Sequence, residues 1–365
     1  FIYFETYGCT ANQNNTEIMK GLVRQVGLEL TNNTDIADLL VINTCIVKEP
    51  TEKKIERRIS SLLKKYSKKP MIIAGCMPET RAGKLRKKNI YLLGTHHVKD
   101  IAKLIKKILE NKYEEKEFLA ENNEIKLGLP KIPRIDKIGI TQIAEGCLGN
   151  CSFCITKLAK GKLFSYPEEK ILENIKNDIS AGCKEIWLTS QDNAAYGLPE
   201  KRKLPELLRK IFALKGRFQV RLGMMNPENV LPILSELIEI YRHKKMKKFL
   251  HLPLQSGSNK ILKEMNRKYS AEDWLKIVNM FRKEIPELFL STDIIVGFPS
   301  ETEEDFEKSC NIVEKIKPDM LNISRFWSMK PAPASKLNQL PIKIIKERAT
   351  RMQELYSKIK QDKLN

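Results

Sequence analysis

The chain contains no apolar run near the roughly 18 residues that a membrane span needs. Its longest candidates, ADLLVINTCIV and LFLSTDIIVGF, are strand-length and interrupted. No secretory signal opens it either, so the expectation is a cytoplasmic protein with no membrane partner. Because the first residue is Phe1, a few residues are expected to precede it. In a reducing compartment the eight cysteines are not read as four disulfides; they are thiols, metal ligands or nucleophiles. Histidine is scarce, and His96, His97, His243 and His251 all lie far in sequence from the closely spaced cysteines. A structural zinc site, which normally takes four protein ligands, is therefore poorly supplied.

Acidic residues are outnumbered. Against 45 Asp and Glu stand 65 Lys and Arg, a formal charge of +20. Residues 1–110 carry 20 basic and 11 acidic groups, and residues 331–365 carry eight and three, so the excess is densest at the two ends. That distribution suits a polyanion held across the centre, since phosphate contacts supply most nucleic-acid affinity. A merely solvated Lys-rich surface fits the same numbers, and charge alone does not separate the two readings.

A chain of 365 residues has room for two or three domains. In residues 1–110 short apolar runs (FIYFETY, ADLLVINT, MIIAG) alternate with helix-period segments, the pattern of a parallel sheet with crossover helices. On TEKKIERRISSLLKKY, Ile55, Ile59, Leu62, Leu63 and Tyr66 fall on one face and most lysines elsewhere. Residues 111–136 lack periodicity and read as a linker. Residues 137–330 offer six strand candidates: IGITQIAEG, EIWLTSQ, RFQVRLGMM, KKFLHLP, LFLSTDIIVG and DMLNISRF. The expected class is α/β, an N-terminal parallel-sheet domain followed by a (β/α)6 partial barrel whose functional residues lie at strand ends. Residues 331–365 form a basic extension with a charged helix over about 343–361.

Cys147, Cys151 and Cys154 lie in GCLGNCSFC, directly after the first strand of the second domain. Three thiolates in one short loop suit a 4Fe-4S cluster with one iron left for a non-protein ligand; zinc or plain thiols are the alternatives. Cys9, Cys45 and Cys76 each follow an expected strand of the first domain. In a parallel sheet those strand ends share one edge, where the three thiols can converge on a second cluster. Read singly, each could equally be an ordinary buried cysteine. Cys183 and Cys310 join no pattern and read as packing residues.

The C-x3-C-x-F-C spacing, with Phe153 before the last cysteine, resembles the radical S-adenosylmethionine (SAM) superfamily. The three-plus-three cysteine pattern, with SYPEE, WLTSQD, HLPLQSGSNKILKEMNRKY and TDIIVGFPSETEEDF, resembles the methylthiotransferase family over nearly the whole chain. CSFCITKLAKGK and WLTSQD are most similar to its archaeal and eukaryotic branch. That branch methylthiolates N6-threonylcarbamoyladenosine in tRNA, beside the anticodon. The resemblance implies two 4Fe-4S clusters and SAM as cofactors. The Cys147, Cys151 and Cys154 cluster would yield the radical that attacks carbon 2 of the adenine, and the Cys9, Cys45 and Cys76 cluster would carry the sulfur. The tRNA anticodon loop is the implied partner, together with a sulfur donor and an electron donor that the sequence does not identify.

The resemblance also implies SAM contacts at strand ends: Ser190 and Gln191 for the methionyl amine, Gln255, Ser256 and Arg267 for ribose or carboxylate, and the Gly297-Phe298 turn for the adenine. Basic stretches KKYSKK, KLRKKN and HKKMKK are candidate phosphate contacts, although charge runs are usually solvated faces. The sequence departs from the family in three places. Lys160 and Phe164 stand where relatives often carry arginine, RFWSMKPAPAS replaces RFSPRPGTPA, and no small RNA-binding β-barrel (TRAM) is expected, because the sequence ends after ERATRMQELYSKIKQDKLN. Other readings remain: methylthiolation of another tRNA base or of a ribosomal protein, a noncatalytic iron-sulfur RNA-binding or electron-transfer protein, or a zinc-structured RNA binder.

Overall fold

The alternation of apolar runs and amphipathic segments resolves into two compact units in a computed structural model describing residues 1–112, 116–120 and 122–363. Residues 113–115 and 121 of the expected linker, and 364–365 of the expected extension, lie outside the described residues. Unit 1 comprises Phe1–Cys147 and Ile155–Ile186; unit 2 comprises Leu148–Cys154 and Trp187–Asn365. Among the described residues no helix is long and apolar enough to cross a membrane.

Unit 1 opens as β1 (Ile2–Thr6), α1 (Thr10–Gln25), β2 (Leu30–Thr31), β3 (Leu39–Thr44), α2 (Glu49–Lys65), β4 (Met71–Gly75), α3 (Cys76–Leu85), β5 (Ile90–Gly94), α4 (Ile101–Leu109) and β6 (Glu117–Phe118). The strands form one sheet, ordered β2-β1-β3-β4-β5-β6, and every pairing is parallel. Every residue of β3 and β4 is buried, as the continuous apolar runs LLVI and MIIA require of central strands covered on both faces. On α2 the buried apolar positions are Ile55, Ile59 and Leu62, one side of the helix. Ile2, Val41, Ile72 and Leu93 pack with Ile18, Ile101 and Ile105 into one core. Each such side chain contributes about 1.5–3 kcal/mol by leaving water.

The same unit continues with β7 (Ile138–Gln142), β8 (Ala144–Glu145), α5 (Thr156–Lys160), β9 (Phe164–Ser165) and α6 (Glu168–Ser180). Asparagine is a poor helix former, yet α1 carries three buried ones in its first turns. Asn14 Nδ2 donates to Ile140 O at 3.0 Å, and Gln142 Nε2 donates to Asn14 Oδ1 and Asn15 Oδ1 at 3.0 and 2.7 Å. These side chains tie α1 to β7, which offsets their poor propensity.

The unit boundary runs through β10 (Glu185–Thr189). Unit 2 then holds α7 (Leu204–Phe212), β11 (Gln219–Leu222), α8 (Pro227–Val230), α9 (Leu234–Arg242), β12 (Phe249–His251), α10 (Asn259–Glu264), α11 (Ala271–Glu284), β13 (Phe289–Val296), α12 (Glu303–Ile316), β14 (Met320–Arg325) and α13 (Ile342–Asp362). β12, β13 and β14 pair in parallel, and β11 joins the run through a parallel bridge between Val220 and Met246. All six expected barrel strands are present, as β7 and β10 to β14. Ser270 and Asp273 close a capping box on α11, and Thr302 and Asp305 close one on α12, so both helices have a defined start.

Candidate functional site

In unit 1 the thiols stand on three neighbouring strand ends. Cys9 is the N-cap of α1 after β1, Cys45 follows β3, and Cys76 follows β4 as the first residue of α3. Parallel register brings the ends together: Thr6 pairs with Asn43, and Thr44 pairs with Gly75. Asn12, fully buried, links all three loops. Its Nδ2 donates to Tyr7 O (3.0 Å) and Thr44 O (2.6 Å), and the Cys76 thiol donates to its Oδ1 at 3.9 Å. Gly8 has φ +101°, and a Cβ there would lie 2.8 Å from Cys45 Sγ, so only glycine lets the first thiol loop lie against the second.

Burial pushes the Cys76 thiol up to about 12 and raises Cys45 as well; Cys9 is exposed. Left alone, two of these groups stay protonated, and a soft metal in place of their protons removes that cost. Asn43 Oδ1, beside Gly75, is a buried acceptor with no partner. An all-sulfur donor set with one orphaned polar atom nearby fits an iron-sulfur centre. Among the described residues no three His, Cys, Asp or Glu side chains are drawn in to hold a single metal ion. Thiols that each meet a different iron do not need to be.

In unit 2 the loop carrying Cys151 and Cys154 is pinned by the segment after α10. Ser152 N donates to Met265 O (3.0 Å), Ser152 Oγ to Glu264 O (2.8 Å), and Asn266 Nδ2 to Asn150 O (2.8 Å). Phe153 packs against Ile261, Met265, Phe298, Phe326 and Ala334. Arg267 Nη1 donates to Cys151 Sγ at 3.1 Å, Nη2 to Asn226 Oδ1 at 2.6 Å, and Nε to Tyr269 Oη at 3.1 Å. Burial raises the Cys151 thiol and the guanidinium opposes that rise, favouring the thiolate a metal needs. The MNRKY segment therefore holds the cysteine loop. Cys147, half-buried, belongs to unit 1, where its N–H donates to Gly161 O.

The strand ends of unit 2 carry three more orphans: Ser190 Oγ, Gln191 Oε1 and Gln255 Oε1 are buried without partners. Acceptors of this kind fit the ammonium and hydroxyl groups of SAM. Ser256 is fully buried, and its Oγ accepts from Ser258 N within the turn. Gly297, at φ +79°, donates to Glu301 Oε2, and Ile345 of α13 covers the place a Cβ would take. Phe298 is fully buried in the cluster with Phe153. His251 Nε2 lies 2.6 Å from Asp293 Oδ2. Cys183 is buried and Cys310 half-buried.

Sequence reading missed several polar groups here. Asp192 accepts from Ala194 N, Asn226 N and Asn229 Nδ2, and burial pushes its carboxyl up to about 6. Through Asn226 it connects to Arg267 and so to Cys151. In unit 1, Lys126, Glu145 and Lys160 form a buried ionic cluster on Thr95. The only sequence signal for it was Lys160, noted as a departure from the family.

Comparison with known proteins assigns two family matches to the chain. Residues 141–313 match the Radical SAM superfamily, and residues 1–94 match Uncharacterized protein family UPF0004. A protein of Pyrococcus abyssi named "Probable threonylcarbamoyladenosine tRNA methylthiotransferase" is 42% identical, over 95% of this chain and 82% of its own. One of the same name from Methanothermobacter thermautotrophicus is 37% identical, over 99% and 85%. Among solved structures, a radical S-adenosylmethionine methyltransferase of Kitasatospora setae superposes with TM-score 0.63 at 13% identity, over 88% of this chain and 72% of that one, a likeness of fold.

Proposed function

The chain belongs to the threonylcarbamoyladenosine tRNA methylthiotransferase family, and we propose that it places a methylthio group on carbon 2 of N6-threonylcarbamoyladenosine beside the anticodon of tRNA. The family implies SAM and a 4Fe-4S cluster. Our reading assigns two clusters, one to Cys147, Cys151 and Cys154 and one to Cys9, Cys45 and Cys76. The observation that carries it is the arrival of three thiols at the ends of adjacent parallel strands β1, β3 and β4, in a chain that also bears the C-x3-C-x2-C loop.

When bound, SAM and the clusters supply the radical and sulfur chemistry. The protein's part is to hold them. Arg267 donates to Cys151 Sγ, opposes the rise that burial imposes on its thiol and, with Ser152 and Phe153, fixes the loop. Ser190, Gln191 and Gln255 offer acceptors to SAM. Ser256 shapes the turn beside Gln255, and Gly297 and Phe298 form the wall after β13. Asn12 and Gly8 keep the other three thiols in one place. The residues up to about 110 then serve the sulfur-carrying centre, and the barrel to about 330 serves SAM.

The test is expression in a host whose tRNA carries threonylcarbamoyladenosine without its methylthio group, followed by mass spectrometry of the nucleosides. Wild type should add the methylthio group, and replacing either cysteine triad with Ala should abolish it. Purified and reduced, the Cys9, Cys45, Cys76 variant should still cleave SAM to 5′-deoxyadenosine, whereas the Cys147, Cys151, Cys154 variant should not. A Cys9, Cys45, Cys76 variant that still methylthiolates sinks the two-cluster assignment. Modification of a different base sinks the substrate.

A further inference from the structure

Along one edge of the unit 1 sheet, four neighbouring strands end in a row. Three deliver Cys9, Cys45 and Cys76, and the fourth, β5, delivers Thr95. Gly75 pairs with Gly94, so Cys76 and Thr95 leave the sheet side by side. Thr95, fully buried, holds cations: its Oγ1 accepts from Lys160 Nζ, and its carbonyl accepts from Lys126 Nζ at 2.5 Å. Both ammonium groups also meet the Glu145 carboxylate, at 3.3 and 2.7 Å, and the Tyr166 hydroxyl donates to it at 3.2 Å. The Lys126 and Lys160 side chains are each 1% exposed, and that of Glu145 is 4%.

The charges in this cluster do not balance. Two ammonium groups face one firm carboxylate, with burial lowering that of Lys126 to about 8. His96 is buried, which favours its neutral form, and burial pushes the Glu79 carboxyl up to about 7. A net positive charge at this depth needs an anion. Besides Glu145, the field of Lys160 takes in Lys126, His96 and the Glu79 carboxyl, and it reaches all three thiols, Cys9, Cys45 and Cys76, favouring their ionised forms. A metal centre ligated by thiolates is the anion the arrangement lacks.

We infer that Lys160, hooked on Thr95 and Glu145, is the built-in counter-charge of the metal-thiolate centre at Cys9, Cys45 and Cys76, a positioning residue that stabilises the extra negative charge the centre takes up on reduction. The inference rests on the ligand role proposed for those cysteines. Its test uses the full chain with Cys147, Cys151 and Cys154 replaced by Ala, loaded anaerobically with ferrous iron and sulfide. The midpoint potential is followed by electron paramagnetic resonance. In that background Lys160→Met should lower the ratio of reduced to oxidised centre at fixed potential by about tenfold, about 59 mV for one electron. Lys160→Arg, which keeps the charge, should stay near the unsubstituted value.

Thermal melting of the metal-free protein supplies the readout that a scaffold role would move. Lys160→Met leaves Lys126 and Glu145 matched one to one, so it should melt no lower than the same protein with Lys160. A lower melting point, or failure to fold, marks Lys160 as scaffold and overturns the inference. Iron retained with an unchanged potential in Lys160→Met overturns it alone. No iron retained in the presence of Lys160 overturns the ligand reading and the inference together.

Discussion

Glu79 lies three residues beyond Cys76 on α3, and its Oε1 is buried without a partner. Burial raises its carboxyl from 4.5 to about 7, so the folded protein holds that proton more tightly than the unfolded chain does. This group's contribution to stability is full below about pH 4.5 and is lost as pH rises through about 7. Glu145 runs the other way. Burial raises it, but Lys126 and Lys160 outweigh burial and hold it down to about 2, so its contribution is present above about pH 4.5 and is lost as pH falls towards 2. Melting of the metal-free protein followed by circular dichroism should show both limbs, and Glu79→Gln should flatten only the decline between about pH 4.5 and 7. At this scale the sequence exposed the cysteines, because their chemistry depends on residue type and spacing. Lys126, Glu145 and Thr95 were hidden because a lysine or glutamate in a string of letters looks the same buried or solvated. Lys126 sits in a stretch with no periodicity at all.

Helix α11 begins at Ser270, whose hydroxyl accepts from Asp273 N at 3.1 Å while Asp273 Oδ2 accepts from Ser270 N at 2.9 Å. Ser270→Ala should cost about 1 kcal/mol, read as a lower urea midpoint with unchanged slope. Most elements of this kind were legible. The six barrel strands and the α2 face follow from apolar periodicity, which burial enforces. Among the elements not read are α3 and β5. Helix α3 has Pro78 and Gly83 within ten residues and a non-helical turn at Arg81, so its pattern is short and broken. Strand β5, IYLLG, is a continuous apolar run, and such a run does not by its pattern separate a strand from a buried helix segment. The lysine runs were ambiguous for a different reason. In HKKMKK, Lys245 donates to Phe212 O and Leu214 O after α7, and Lys248 donates to Tyr241 O and His243 O after α9. Those two lysines satisfy the carbonyls that helix ends leave open.

For the whole molecule, a charge of +20 and a tRNA substrate together give a salt-dependent affinity. Binding of tRNA measured against salt should show a steep log-log slope. Lys245→Gln and Lys248→Gln should leave that slope unchanged while lowering the melting point, because their ammonium groups are committed to backbone carbonyls. The division into units adds something that composition did not show. Unit 1 is discontinuous: it pauses at Cys147 and resumes at Ile155. Seen as an order of synthesis, this makes the thiol site a late product. A ribosome halted after residue 110 would already have synthesised Cys9, Cys45 and Cys76. Lys126, Glu145 and Lys160 would still be unmade, so metal loading before they arrive meets three thiols without their balancing charge.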